Sequence, residues 1–198
     1  MSEHAPAVPA ETPAPHPIRL VVDDDLARSR VTVFFRLLLV IPAFLWLVLW
    51  TIVAFVVGFI GWIVAIFLGR LPDGIHDFLA AWDRYLTHVN AYFFIVADPY
   101  PGFAGQPGYP VDLAIDPPTS QNRLTIIFRL ILGIPAFIVM TVLIYVLEIV
   151  GILAWFYALF TGRANEGMRN LQAYCLRYQA QTYGYAFLLT GRYPSFES

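Results

Sequence analysis

Two arginines stand alone inside long apolar runs. Arg36 is the only charge between Val31 and Gly69, and Arg129 shares the run Leu124–Gly162 with one acid, Glu148. A guanidinium about six residues into such a run lies ~9 Å along a helix from its start. From there it can snorkel to lipid headgroups at little cost. It can also clamp a lipid phosphate or a partner's carboxylate with its planar fork of donors. Arg36 and Arg129 are therefore candidate lipid or partner ligands, together with Arg70, Arg163, Arg84 and Arg177, which flank the same runs. Pro42 and Pro135 recur in Ile-Pro-Ala-Phe; each removes a backbone donor, so each is a packing kink or a hinge. Glu148 is a solvated acid if it sits near a turn, and a proton or cation site if it sits deeper.

Other chemistry has little to stand on. His76 and His88 are accompanied by no HExxH, no CxxC and no clustered carboxylates, so no metal site is expected. Cys175 is the single cysteine, which leaves no intrachain disulfide. No Gly-rich phosphate loop and no nucleophile-elbow serine is present, so no cofactor and no enzymatic activity is expected. Asp23, Asp24 and Asp25 read as a solvated turn. The formal net charge of −2 gives no basic field for nucleic acid.

The elements that hold these residues follow from composition. The 198 residues are 59% hydrophobic and 13% charged, against about 25% charged for ordinary soluble domains. A membrane protein is expected. Each apolar run as one helix would be about 58 Å long, nearly twice a hydrocarbon core of about 30 Å. Each is therefore read as a transmembrane helical hairpin, over 31–69 and 124–162, which makes four crossings. A hairpin that dips in without crossing is the shallower alternative.

Shifted by 93 positions, the chain lies on itself without a gap. Arg30-Val-Thr-Val-Phe-Phe-Arg-Leu-Leu-Leu-Val-Ile-Pro-Ala-Phe44 meets Arg123-Leu-Thr-Ile-Ile-Phe-Arg-Leu-Ile-Leu-Gly-Ile-Pro-Ala-Phe137. Gly58, Trp62, Gly69-Arg70, Arg84-Tyr85 and Tyr100-Pro recur as Gly151, Trp155, Gly162-Arg163, Arg177-Tyr178 and Tyr193-Pro. The expected organisation is a Pro/Ala-rich disordered tail (1–16), repeat 1 (17–103), a linker with a strand (104–121, repeat 2 beginning near 109) and repeat 2 (122–198). After the Gly stops come amphipathic helices at about 73–90 and 166–182, with apolar residues at three-to-four spacing. Tyr92–Val96 and Tyr185–Leu189 read as short strands that pair with Ile18–Val22 and Val111–Ile115, or as continuations of the helices. The fold class is a mostly α membrane protein of two tandem repeats, each a hairpin, an amphipathic helix and short cytoplasmic strands.

The combination of Arg-x₅-Arg-Leu-x-Leu-x-Ile-Pro-Ala-Phe, a Phe-x-Gly-Arg stop, an Arg-Tyr helix and a Tyr-Pro-x-Phe close resembles one family. It is similar to the bacterial, often actinobacterial, membrane proteins of domain of unknown function 4389, here in duplicated form. The resemblance implies membrane residence and duplication and brings no activity with it. Where relatives often have Ile-Pro-His, this chain has Ile-Pro-Ala twice.

The function expected is binding rather than catalysis: an accessory or scaffold subunit that holds membrane lipids and partner membrane proteins in a complex. A small homo-oligomeric transporter or channel and a lipid-handling protein are the alternatives. The flanking arginines place both termini and the linker in the cytoplasm of a bacterial inner membrane, and the lysine-free, Ala- and Pro-rich composition fits a high-GC bacterium.

Overall fold

Neither apolar run folds back on itself. A computed structural model describes residues 14–196. The first run forms α1 (Arg30–Leu39) and α2 (Ile41–Leu68), and the second forms α4 (Arg123–Ile127) and α5 (Arg129–Thr161). Each pair is one bent rod, because the helical ladder crosses both junctions. Val40 N–H donates to Arg36 O and Phe44 N–H to Val40 O, both at 2.9 Å; Phe128 N–H and Leu132 N–H do the same across the second junction, at 3.1 and 2.9 Å. No Gly, Pro, Asn or Asp lies at the middle of either run to make a turn, and an apolar turn would leave backbone groups without partners. The expected hairpins at 31–69 and 124–162 are thus corrected to single rods, and four crossings to two helices, α2 and α5, long and apolar enough to cross a membrane.

The returning arm of each unit is the amphipathic helix, α3 (Asp73–Phe93) or α6 (Glu166–Ala186). Gly69 and Gly162 end the rods in the left-handed conformation (φ 73° and 71°), and their N–H groups bond Ala65 O and Ala158 O. Glycine adopts this backbone without the Cβ penalty, which is why both stops are Gly. Antiparallel packing of α3 on the first rod follows from its contacts. Leu71 and Ile75 lie against Gly61, Trp82 Nε1 donates to Thr51 Oγ1 at 3.0 Å, and Tyr85 Oη donates to Ala43 O at 3.2 Å.

The strands are β1 (Ile18–Val22) and β2 (Val111–Ile115), paired antiparallel with Ile18 opposite Ile115 and Val22 opposite Val111. They pair with each other rather than with Tyr92–Val96 and Tyr185–Leu189, which instead finish α3 and α6. Those helices run past the expected ends at 90 and 182 because Ala91–Phe93 and Tyr183–Ala186 find packing partners. Both units then turn through a left-handed non-glycine residue at equivalent positions, Ile95 (φ 65°) and Leu188 (φ 64°). The expected 1–16 tail falls mostly outside the described residues. His16, at its end, is buried, and Ile18 N–H donates to its Nδ1 at 3.0 Å.

The two units interlock. The start of each rod lies beside the end of the other: Arg28 N–H donates to Gly162 O at 3.0 Å, and Gln121 N–H donates to Gly69 O at 2.8 Å. Trp62 Nε1 donates to Ile126 O and Trp155 Nε1 to Val33 O, both at 2.8 Å. The rods are therefore antiparallel. The sheet packs on α3 and α6, and these pack on α2 and α5, so the molecule is three layers deep with the rods as one outer face.

Candidate functional site: a layered molecule with one apolar face

The rods present one small-residue stripe inward. On α2 this is Ala54, Gly58, Gly61 and Ala65; on α5 it is Gly151, Ala154 and Ala158, with the larger Leu147 where α2 has Ala54. Their other faces carry exposed Leu, Ile, Val, Phe and Trp. Among the described residues, the exposed large hydrophobics outside 31–68 and 124–160 are Val21, Tyr100, Phe103, Leu171, Tyr193 and Phe196. Contiguous exposed apolar patches of more than a few hundred Å² are rare on soluble monomers and mark interaction surfaces.

Arg36 and Arg129 do not face that surface. Each is 1% exposed. Arg36 Nη1 donates to Tyr92 O (2.8 Å) and Ala97 O (3.0 Å), Nη2 pairs with Asp98 Oδ1 (2.8 Å), and the guanidinium lies 4.3 Å over the Tyr92 ring. Arg129 Nη2 donates to Thr190 O (3.1 Å) and to the side-chain oxygen of Gln121, with its guanidinium 4.0 Å over Tyr185. The expected lipid or partner ligands are corrected to internal fasteners. Tyr92 O belongs to the last turn of α3, where the negative end of the helix dipole draws a cation, and Ala97 O and Thr190 O lie four residues beyond the ends of α3 and α6. Arg28 reinforces the first end through Ile95 O (3.1 Å), Val96 O (2.7 Å) and Asp24 (2.8 Å). At the same place in unit 2, Gln121 Nε2 reaches Leu188 O at 2.9 Å. Arg28 carries no motif of its own in the sequence; its place opposite Gln121 under the repeat offset is the available signal.

The remaining arginines divide. Arg70 is exposed and pairs with Asp73 at 3.3 Å, and Arg123 lies beside the neighbouring Gly69. Arg163 is exposed and its backbone bridges to Ala27, with Arg30 beside Gly162. Two basic clusters thus mark the two ends of the rod layer. Arg84 and Arg177 are used elsewhere, which corrects them as headgroup ligands. Arg84 Nε donates to Leu113 O at 3.1 Å, beneath the sheet, and Arg177 Nη2 donates to Phe196 O at 3.1 Å. Pro42 falls in the first turn of α2, where its missing N–H coincides with the break between α1 and α2, and Pro135 lies inside α5, which continues through it. Glu148 is exposed in the middle of α5, not beside a turn.

On the sheet side, a cavity of about 590 Å³ is lined by Arg84, Tyr109, Asp112, Asp23 and Asp116 among others. His88 Nε2 lies 2.9 Å from Asp112 Oδ1 and its ring packs 4.6 Å from Tyr109. Burial pushes the His88 imidazole below its ordinary value, against the opposing pull of Asp112. Asp112 also accepts from Gly108 N–H (2.7 Å) and Leu113 N–H (2.8 Å). Oδ1 thus has two partners, His88 and Leu113 N–H, and the His88–Asp112 pair ties α3 to β2. Among the described residues no group of three His, Cys, Asp or Glu could hold a metal ion.

These features define a mostly helical tandem-repeat protein whose outer layer is two apolar rods. The chain belongs to the family described as domain of unknown function (DUF4389), whose family model matches it twice, over 30–104 and 123–198. No curated protein and no solved structure matches it.

Proposed function

We propose that the protein lies in the plane of one membrane leaflet, rods inward, and works as a non-enzymatic accessory or scaffold subunit that binds lipids and partner membrane proteins. The observation that carries this reading is the segregation of exposed apolar side chains onto the rod layer, with the sheet on the opposite side of α3 and α6. Upright crossing fits poorly. α5 is about 50 Å long, so an upright placement across about 30 Å of hydrocarbon needs a tilt of roughly 50°. It would also put one basic cluster, Arg70–Arg123 or Arg30–Arg163, on each side, against the positive-inside rule. Lying flat, both clusters meet headgroups of the same leaflet, which for a bacterial chain is the cytoplasmic one. A transport path would need Arg36, Arg129 or Glu148 along water; the first two are sealed inside the protein.

Single-cysteine accessibility in membrane vesicles tests the placement. Cys175 is buried and its thiol is pushed up to about 11, so it stays silent to maleimide. Cysteines at Arg70, Gln106 and Arg163 should all label from the cytoplasmic side and none from the other. Labelling of Arg70→Cys and Arg163→Cys from opposite sides would establish crossing and sink the in-plane reading.

A further inference from the structure

The repeat brings an acid to one place on the rod layer where the other unit has a ring, and that place is a groove. In unit 1, Phe55 on the flank of α2 meets Phe187 with ring centroids 5.4 Å apart, and Phe187 packs on Gly58. The equivalent residues in unit 2 are Glu148, Phe94 and Gly151. Phe94 packs on Gly151 in the same way, but Glu148 brings no ring to it. The result is a cavity of about 500 Å³ lined by Leu37, Phe93, Phe94, Glu148, Trp155 and Phe156, among others. Glu148 follows the buried Leu147, so it sits about 100° round α5 from the inward stripe. It faces sideways along the layer, and none of the ion pairs among the described residues uses it.

The walls of this groove specify a ligand class. Phe93 and Phe94 meet edge to face at 4.8 Å, and Trp155 and Phe156 at 5.0 Å. Several aromatic rings and one carboxylate around a common space are the chemistry that recognises an ammonium group, through ring quadrupoles and a single counter-charge. An unpaired carboxylate on an otherwise apolar face is costly beside hydrocarbon, and a cation relieves that cost. Resting on the in-plane reading, the flank of α5 lies at the boundary of headgroups and acyl chains, where lipid headgroups are within reach. We propose that the groove holds the ammonium headgroup of an amine-bearing phospholipid, with Glu148 as its counter-charge and Phe93, Phe94 and Trp155 as its aromatic walls.

The test uses the full chain in detergent, offered equal amounts of phosphatidylethanolamine and phosphatidylglycerol with matched acyl chains, and reads bound lipid by native mass spectrometry. The wild type should retain phosphatidylethanolamine over phosphatidylglycerol by roughly tenfold. Glu148→Gln and Glu148→Phe, the latter copying Phe55, should bring the ratio to about one. Equal retention by the wild type, or a ratio unchanged in Glu148→Gln, overturns the proposal. So does full displacement by free ethanolamine, which would make the ligand a soluble amine, or a stoichiometric protein in place of lipid. Vesicle flotation of the same variants separates the two readings. Variants that float with an unchanged lipid ratio sink only the groove, whereas a wild type that does not float sinks the membrane placement.

Discussion

Asp83 is 0% exposed, and neither of its carboxylate oxygens has a hydrogen-bond partner among the described residues. It lies where α3 crosses α6, with one oxygen close to Gly184; the equivalent position in unit 2 is Leu176. Burial raises its pKa well above the ordinary 3.8, and neighbouring Arg84 opposes this only weakly. The folded state therefore holds this proton more tightly than the unfolded chain does. The stability associated with it is fully present below about pH 4 and is lost as pH rises through the folded-state value. Asp83→Asn keeps the shape of the neutral acid and cannot ionise. In detergent, Asp83→Asn should match the wild type near pH 4 and exceed it by about 1–4 kcal/mol at pH 8. Parallel pH profiles for the two proteins would mean that Asp83 finds a partner. The polar face that holds it, Asp83, Thr87 and Asn90 on α3 with Gln179 and Thr182 on α6, joins the amphipathic helices through groups such as the Asn90–Gln179 bond at 3.2 Å.

At the scale of elements, α6 and β1 approach closely at Gly184. A Cβ on Gly184 would stand 2.0 Å from Ile18 Cδ1, and Ile18 is completely buried. Gly184→Ala should cost about 1–3 kcal/mol by overpacking, and Ile18→Val about 0.5–1.5 kcal/mol by loss of a methyl group. Ile18→Val/Gly184→Ala should cost less than the sum of the two, because the deleted methyl is the one the new Cβ meets. Strict additivity in thermal unfolding would show that β1 shifts as a unit. The Gly-Arg stops, the α3 and α6 starts and the β1 and β2 runs were all legible in the sequence, because Gly stops, three-to-four spacing and β-branched runs are local signals. The unbroken rods were not. Length alone suggested two arms in Val31–Gly69, but a membrane plane accepts a 58 Å rod lying down as readily as two 29 Å helices standing up. The buried role of Arg36 was hidden for a related reason: its partners Tyr92, Ala97 and Asp98 come from a segment whose direction depends on α3 folding back.

At the scale of the whole molecule, duplication has made two units that cannot be separated. The sheet takes one strand from each, each rod's end is bonded to the other rod's start, and Trp62 and Trp155 each donate to a backbone carbonyl of the other unit's rod. Phe94 and Phe187 each fill a glycine notch on the opposite unit's rod. A single unit would expose all four surfaces at once: an unpaired strand edge, a bare helix end, an unfilled notch and the flank of its amphipathic helix. Yet the junctions are non-covalent apart from the connection around Gln106, where the chain is exposed. Cutting there should therefore cost loop-closure entropy but no packing. Residues 1–106 or 107–198 produced alone should give no monodisperse species in detergent, whereas the two produced together should assemble one to one and elute with the intact 22.4 kDa chain. A stable, folded 1–106 fragment would mean that α1 and α2 bury enough against α3 by themselves. The second unit would then be an addition to a complete fold, and the groove at Glu148, whose walls come from both units, would exist only because of that addition.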